Sequence, residues 1–194
     1  ALIRGVRLRV VYDSRNPQPL MQQLMSTGKV IQRTTSSGLM HNKFIIFDGR
    51  DTTTASVPRK WLWTGSANIT SAQFNTDYQN VIYIQDESLC NAYTREFEEM
   101  WGGSSDTPNY DKGVFGSAKK LNSPNKFIVD DELVELYFSP SDKTEKHIVE
   151  SLNTADYELS LAMMAFTSDA LGQTIRSASE RGVEVFGTID YVEY

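Results

Sequence analysis

The sequence predicts an α/β sandwich assembled from two related repeats, each only partly present. Two observations lead there. Short apolar runs bounded by turn residues alternate with segments of helical period, the pattern of helices layered on sheet. An internal repeat runs through the chain: Ala1-x-x-Arg4-Gly5-Val6-x-Leu8 recurs as Ala178-x-x-Arg181-Gly182-Val183-x-Val185, and at the same offset Asp13 meets Asp190. The 194-residue length is enough to bury a core in one or two domains. On this reading residues 1–103 are the rear of one repeat, 104–130 a linker rich in Gly, Ser, Asn, Pro and Lys, and 131–194 the front of the next.

The elements follow in order. Leu8 to Tyr12 reads as a strand and Asp13 to Pro17 as a loop. Leu20, Met21, Leu24 and Met25 share one helical face that ends at Gly28, with the methionines as core filler. Lys29 to Gln32 is a short strand, and Ser36-Ser37-Gly38 a flexible approach to His41. Phe44 to Phe47 and Trp61 to Thr64 read as the two strands of a hairpin, and Ile69 to Asn75 as a short helix and loop. Val81 to Ile84 reads as a buried strand. Ser88 is taken as the cap of a helix carrying Leu89, Ala92, Tyr93, Phe97 and Met100 on one face and stopping at Gly102-Gly103. In the second unit, Val134 to Phe138, a strand within Glu158 to Phe166, and Val183 to Ile189 alternate with helices through Ile148 and Leu152 and through Leu171 and Ile175, the latter capped by Ser168 or Asp169.

The formal charge of −6 hides an asymmetry. Residues 1–60 hold 10 Lys and Arg against 3 Asp, and the remainder 9 against 22. A positive first third would draw in an anionic substrate on an otherwise acidic chain. The single cysteine, Cys90, excludes an internal disulfide and reads as helix core. With one Cys and two His, no structural zinc site follows from these residues. No run of 18 apolar residues suggests a transmembrane segment.

The chemistry concentrates between His41 and Asn68. His41 and Lys43 lie two apart at the start of the apolar run, so in extended backbone an imidazole and an ammonium share a face. Gly65-Ser66-Ala67-Asn68 then bends toward a helix, whose N-terminal N–H groups suit an anion. A nucleophile or base, a cation and a set of donors are the parts needed to attack a phosphate.

His41-x-Lys43-x4-Asp48 followed by Gly65-Ser66-x-Asn68 resembles the HKD motif of the phospholipase D superfamily. Phe138-Ser139-Pro140 before an amphipathic helix also looks like the opening of a superfamily half. The resemblance implies an α/β/α sandwich of two halves whose motifs meet at one site. It implies a phosphodiesterase that needs no cofactor or metal and works through a phosphohistidine. One motif's His attacks phosphorus, and the other's protonates the leaving oxygen and then activates water or an alcohol. His41 takes one of these roles, which of the two being open. Lys43, Ser66 and Asn68 would hold phosphoryl oxygens, with Asp48 and Gly65 supporting the hairpin and bend. Two departures stand out. The segment Gly49 to Thr64 lengthens the usual gap, read here as a longer hairpin loop. Gln79-Asn80 stands where the family carries Glu-Asn; a Gln carbonyl could accept from the imidazole but could not stabilise an imidazolium as a carboxylate does. The partner is a phosphodiester, a phospholipid being favoured over a nucleic acid. The second motif would come from the rest of a longer parent chain, near position 218, or from a second copy. His147 has no motif around it and reads as a surface or boundary residue. A nuclease and a degenerate phosphate-binding module are the alternatives.

Overall fold

The computed structural model describes residues 2–13, 19–33 and 38–190. The expected loop after Asp13 and the Ser36-Ser37 approach lie outside them. The chain divides into two compact units, Ala1–Leu136 and Tyr137–Tyr194.

The first unit holds a parallel pair, β1 (Val10–Asp13) beside β2 (Val30–Arg33), joined through helix α1 (Pro19–Met25). Its second sheet is antiparallel and three-stranded: β3 (Phe44–Phe47), β4 (Trp61–Gly65) in the middle, and β5 (Val81–Gln85). The long β3–β4 connection is a built loop, with a 3-10 helix at Thr54–Arg59. Asp51 Oδ1 accepts from the Thr53 amide and hydroxyl at 2.9 and 2.7 Å, while Arg59 bridges Asp48 and Asp51.

Helix α2 (Ser71–Asn75) is short, and α3 (Glu87–Trp101) is the main packing element. Its N-cap is Asp86, not Ser88: the Asp86 carboxylate accepts from the Leu89 amide at 2.7 Å, reaching the third helical N–H as a cap must. The helix ends on Gly102 at φ 82°, where a Cβ would also stand 2.2 Å from the Asn109 carbonyl oxygen. Leu89, Cys90, Ala92, Tyr93, Met100 and Trp101 are buried as α3 packs on β1, β3 and β4. Burial pushes the Cys90 thiol up to about 11, which leaves it an inert core group.

Segment 104–125 folds back on α3. Asn109 N–H donates to Trp101 O and Val114 N–H to Glu99 O, and Lys119 forms an ion pair with Glu96 in which the side chains are 3% and 4% exposed. A hairpin follows, β6 (Lys126–Val129) with β7 (Glu132–Glu135), so the strand expected at Val134–Phe138 begins two residues earlier and stops at Glu135. Asp130 and Asp131 both take positive φ, 50° and 66°, as a two-residue turn matched to strand twist requires.

Two further expectations are corrected. β5 is not buried: Val81, Ile82 and Tyr83 are 45%, 52% and 53% exposed, because α3 covers β3 and β4 while β5 lies at the sheet edge. Met25 is exposed, its sulfur accepting from the Tyr12 hydroxyl.

The second unit contains α4 (Thr144–Leu152), β8 (Glu158–Met163), α5 (Asp169–Glu180) and β9 (Glu184–Ile189), with β8 and β9 parallel as a β–α–β unit requires. Ser168, rather than Asp169, caps α5 by accepting from the Leu171 amide. The chain is thus a mixed α/β protein with several separate sheets.

The Glu96–Lys119 pair generates a stability prediction. Removing one partner of a buried ion pair strands the other charge away from water, so Lys119→Ala should cost about 3–5 kcal/mol in urea unfolding. A loss under about 1 kcal/mol, typical of exposed pairs, would show that water reaches the pair.

Candidate active site

The register of the antiparallel sheet assembles the site. Phe44 pairs with Thr64, and Gly65 pairs with Val81 across β4 and β5. The first ladder ends at this pair, so Lys43 and Gly65 are the next residues on the two strands, and Thr64 Oγ1 donates to the Lys43 carbonyl across the ladder's end. Gly65 is required by the second ladder, since a Cβ there would stand 2.2 Å from the Asn80 carbonyl oxygen. The two motif halves, separated by the long loop in sequence, are therefore joined at the same end of the hairpin.

The His41-Asn42-Lys43 tripeptide is held from four directions. Upstream, the Met40 amide donates to Asp13 Oδ2 at 3.0 Å, tying the approach to the end of β1. Downstream, Thr64 Oγ1 donates to the Lys43 carbonyl at 3.0 Å. Between them, Asn42 Nδ2 donates to Glu96 Oε1 at 3.1 Å. Beneath, the Phe44 ring meets the buried Tyr93 edge-on at 5.0 Å. Lys43 Nζ donates to the His41 carbonyl at 2.8 Å, so an incoming anion would compete with that oxygen for the ammonium.

The electrostatics favour a neutral imidazole. Partial burial lowers the His41 pKa most, and the Lys43 charge lowers it further. Burial also lowers Lys43. Neutral His is the form that can attack or accept a proton near pH 7.

The Gly-Ser half differs in detail from expectation. Ser66 N–H donates to Asn80 O at 3.1 Å, and Ser66 Oγ accepts from the Asn80 amide at 3.0 Å. The Ser66 hydroxyl proton goes to Gln79 Oε1 at 2.6 Å, so Gln79 serves the serine here. Asn68 lies beyond β4 on an exposed stretch, with its backbone N–H donated to Gln73 Oε1. The helix expected to open at this bend begins only at Ser71 and is five residues long, and its Gln73 amide is taken by Thr70 Oγ1. Donors to an anion must therefore come from side chains and the bend, not from a helix end. Asp48 sits at φ 54° and accepts from Arg59 Nε at 3.2 Å, a hairpin contact.

His147 lies in the other unit, stacked on Tyr137 at 3.8 Å and bonded to Glu150 at 2.9 Å. Among the described residues no group of three or more His, Cys, Asp or Glu could hold a metal, and no helix is long and apolar enough to cross a membrane.

The sequence alone does not mark Asp13, Thr64 or Glu96 as contacts of the motif. Glu96 had left a trace: it falls on the apolar stripe of Leu89, Ala92, Tyr93 and Met100, where a charge needs a partner.

His41 is expected to titrate below its ordinary value of about 6.5. Lys43→Met should raise that value without fully restoring it, since burial remains. Because the folded pKa lies below the unfolded one, the associated stability is present above about pH 6.5 and is lost as pH falls through the folded pKa. An NMR titration of the imidazole checks this; a His41 pKa above the ordinary value would contradict it.

Comparison with known proteins places the first half of the chain in a family. The family described as cardiolipin synthase, PLD-like domain, matches residues 1–101. The mitochondrial cardiolipin hydrolase of Xenopus laevis is 33% identical over 101 residues, covering 50% of this chain and 43% of that protein. The human protein of the same name is 31% identical over 101 residues, covering 50% of this chain and 36% of its own length. A phospholipase D of Rickettsia felis is 32% identical over 104 residues, covering 50% and 45%. Each match spans less than half of the relative's length. With the family's description matching over half its residues, this chain belongs to the PLD-like domain family of the phospholipase D superfamily.

Proposed function

We propose that this chain carries one motif of a metal-independent phosphodiesterase of the phospholipase D type, acting on a phospholipid through a phosphohistidine. The observation that carries the reading is the strand register, which pairs Phe44 with Thr64 and so brings Lys43 and Gly65 to the same end of the hairpin. A phosphodiester is a poor electrophile guarded by its own charge, and covalent catalysis splits its displacement into two in-line steps. His41 serves as the nucleophile in its neutral form, which burial and Lys43 favour, or, once protonated, as the acid that assists the other motif's nucleophile. Lys43 leaves the His41 carbonyl to bind non-bridging oxygens and balance developing charge. Ser66 and Asn68 complete the oxygen-binding set, and Asp48 and Gly65 hold the hairpin and the bend. The names cardiolipin hydrolase and phospholipase D among the relatives favour a lipid phosphodiester over a nucleic acid.

The architecture belongs to the same proposal. Residues 1–103 and 131–194 are read as parts of two repeats joined by 104–130. In support, the aligned glycines Gly5 and Gly182 both take positive φ, 75° and 95°, ahead of β1 and β9. The second motif then comes from further chain or from a second copy.

One observation favours a second reading, a phosphate-binding module without turnover: Gln79 replaces a carboxylate and is bonded to Ser66. The test is an activity series on the full-length parent polypeptide with cardiolipin, short-chain phosphatidylcholine and single-stranded DNA. Lipid turnover is expected, with His41→Ala abolishing it while phosphate binding persists. Asn68→Ala should lower kcat by about 10²-fold, as loss of one charge-stabilising donor does. Unchanged turnover in His41→Ala would remove that imidazole from the mechanism, and DNA cleavage alone would move the substrate to nucleic acid.

A further inference from the structure

Glu96 lies far from the motif in sequence, yet its carboxylate touches it. Oε1 accepts from Asn42 Nδ2 at 3.1 Å, and Asn42 is the residue between His41 and Lys43. The same oxygen receives Lys119 Nζ, from the segment that follows α3. Both side chains of this pair are almost wholly buried. Burial alone would push Glu96 toward its neutral form, and Lys119 and Asn42 oppose that.

Stability does not explain such a pair. Replacing a buried ion pair by two apolar side chains of similar volume is often neutral or stabilising. What an apolar pair could not supply is an acceptor for Asn42. The other two ties to the tripeptide region, Asp13 on the Met40 amide and Thr64 on the Lys43 carbonyl, grip backbone on either side of Asn42. Among the described residues, the Glu96 contact is the one from outside the tripeptide that grips a side chain within it.

We propose that Glu96 and Lys119 form a positioning pair that holds His41 and Lys43 in register through Asn42, so that the segment after α3 is a working part of the motif. Neither residue touches the substrate. Glu96 supplies the acceptor, and Lys119 opposes the upward push of burial on its carboxyl and holds it in place. The kinetic consequence rests on the phosphodiesterase reading; the effect on His41 does not.

The test uses Glu96→Leu together with Lys119→Met, which removes the acceptor and the lysine paired with it together. In the full-length parent, kcat is expected to fall about 10- to 100-fold with KM little changed, the mark of misplaced reacting groups. Glu96→Gln with Lys119→Met restores an acceptor and should recover most of the loss. Asn42→Ala should reproduce the loss, and adding the Leu/Met pair to it should lower kcat no further, because both act through one contact. The chain has two histidines, so imidazole NMR supplies an independent readout. The His41 signal should move in the Leu/Met and Asn42→Ala variants, while His147 stays in place. Should the Leu/Met variant fail to fold, Asn42→Ala carries both readouts alone. A moved His41 signal with no turnover in the unsubstituted protein would uphold the positioning role and defeat the phosphodiesterase reading. Unchanged kcat and an unmoved His41 signal in folded Leu/Met or Asn42→Ala variants would overturn the inference.

Discussion

The site depends on one strand pairing, Phe44 against Thr64 in the β3–β4 ladder. Side chains alternate faces along a strand, so a slip of one residue would turn each motif side chain to the opposite face. On the other side of β4, Gly65 keeps the β4–β5 register, admitting Asn80 where any Cβ would collide. The buried face, with Leu62 fully enclosed and Phe44 against Tyr93, can meet α3 only one way round. The long loop from Asp48 to Lys60 does not loosen this. Its Asp51–Thr53 turn and the Arg59 bridges make it a folded unit rather than slack chain.

Around that ladder, charge and burial act together. His41 and Lys43 are both lowered, so the pair has less tendency to carry two adjacent positive charges. An arriving phosphodiester would reverse that balance by giving the ammonium an anionic partner. Glu96 is a buried carboxyl tied to the tripeptide, but its hydrogen bond goes to Asn42 and its salt-bridge partner is Lys119. It therefore orients the motif without neutralising the cation that the substrate needs. This division of labour, one charge pair for placement and another for chemistry, is a coherent use of an otherwise costly buried carboxylate.

Much of this was legible in the sequence. The hairpin strands at Phe44–Phe47 and Trp61–Thr64, the α3 stripe and the Gly102 stop follow from local period and turn chemistry, and the structure contains them. What escaped was set by tertiary contact. Val81 to Tyr83 carries the apolar composition of a covered strand, but composition does not reveal which neighbours the fold supplies. The choice between Asp86 and Ser88 as cap turned on two adjacent candidates that period alone does not separate. Gln79 stands at a position read as the family's Glu, and its Oε1 accepts from the Ser66 hydroxyl, a geometry no spacing rule contains. Glu96 was visible as a charge on an apolar stripe, but its partners lie 54 and 23 residues away. The 104–125 segment, rich in turn residues, concealed the lysine that completes the pair.

The central claim is that His41, Lys43, Ser66 and Asn68 surround a single tetrahedral anion. A crystal structure of the chain with bound tungstate, an isosteric dianion, examines that claim without requiring turnover or a second motif. The expected result is one tungstate within hydrogen-bond reach of the His41 imidazole and Lys43 Nζ, with Lys43 drawn away from the His41 carbonyl. Tungstate absent from this end of the hairpin at saturating concentration, or bound by other residues while Lys43 keeps its bond to that carbonyl, would contradict it.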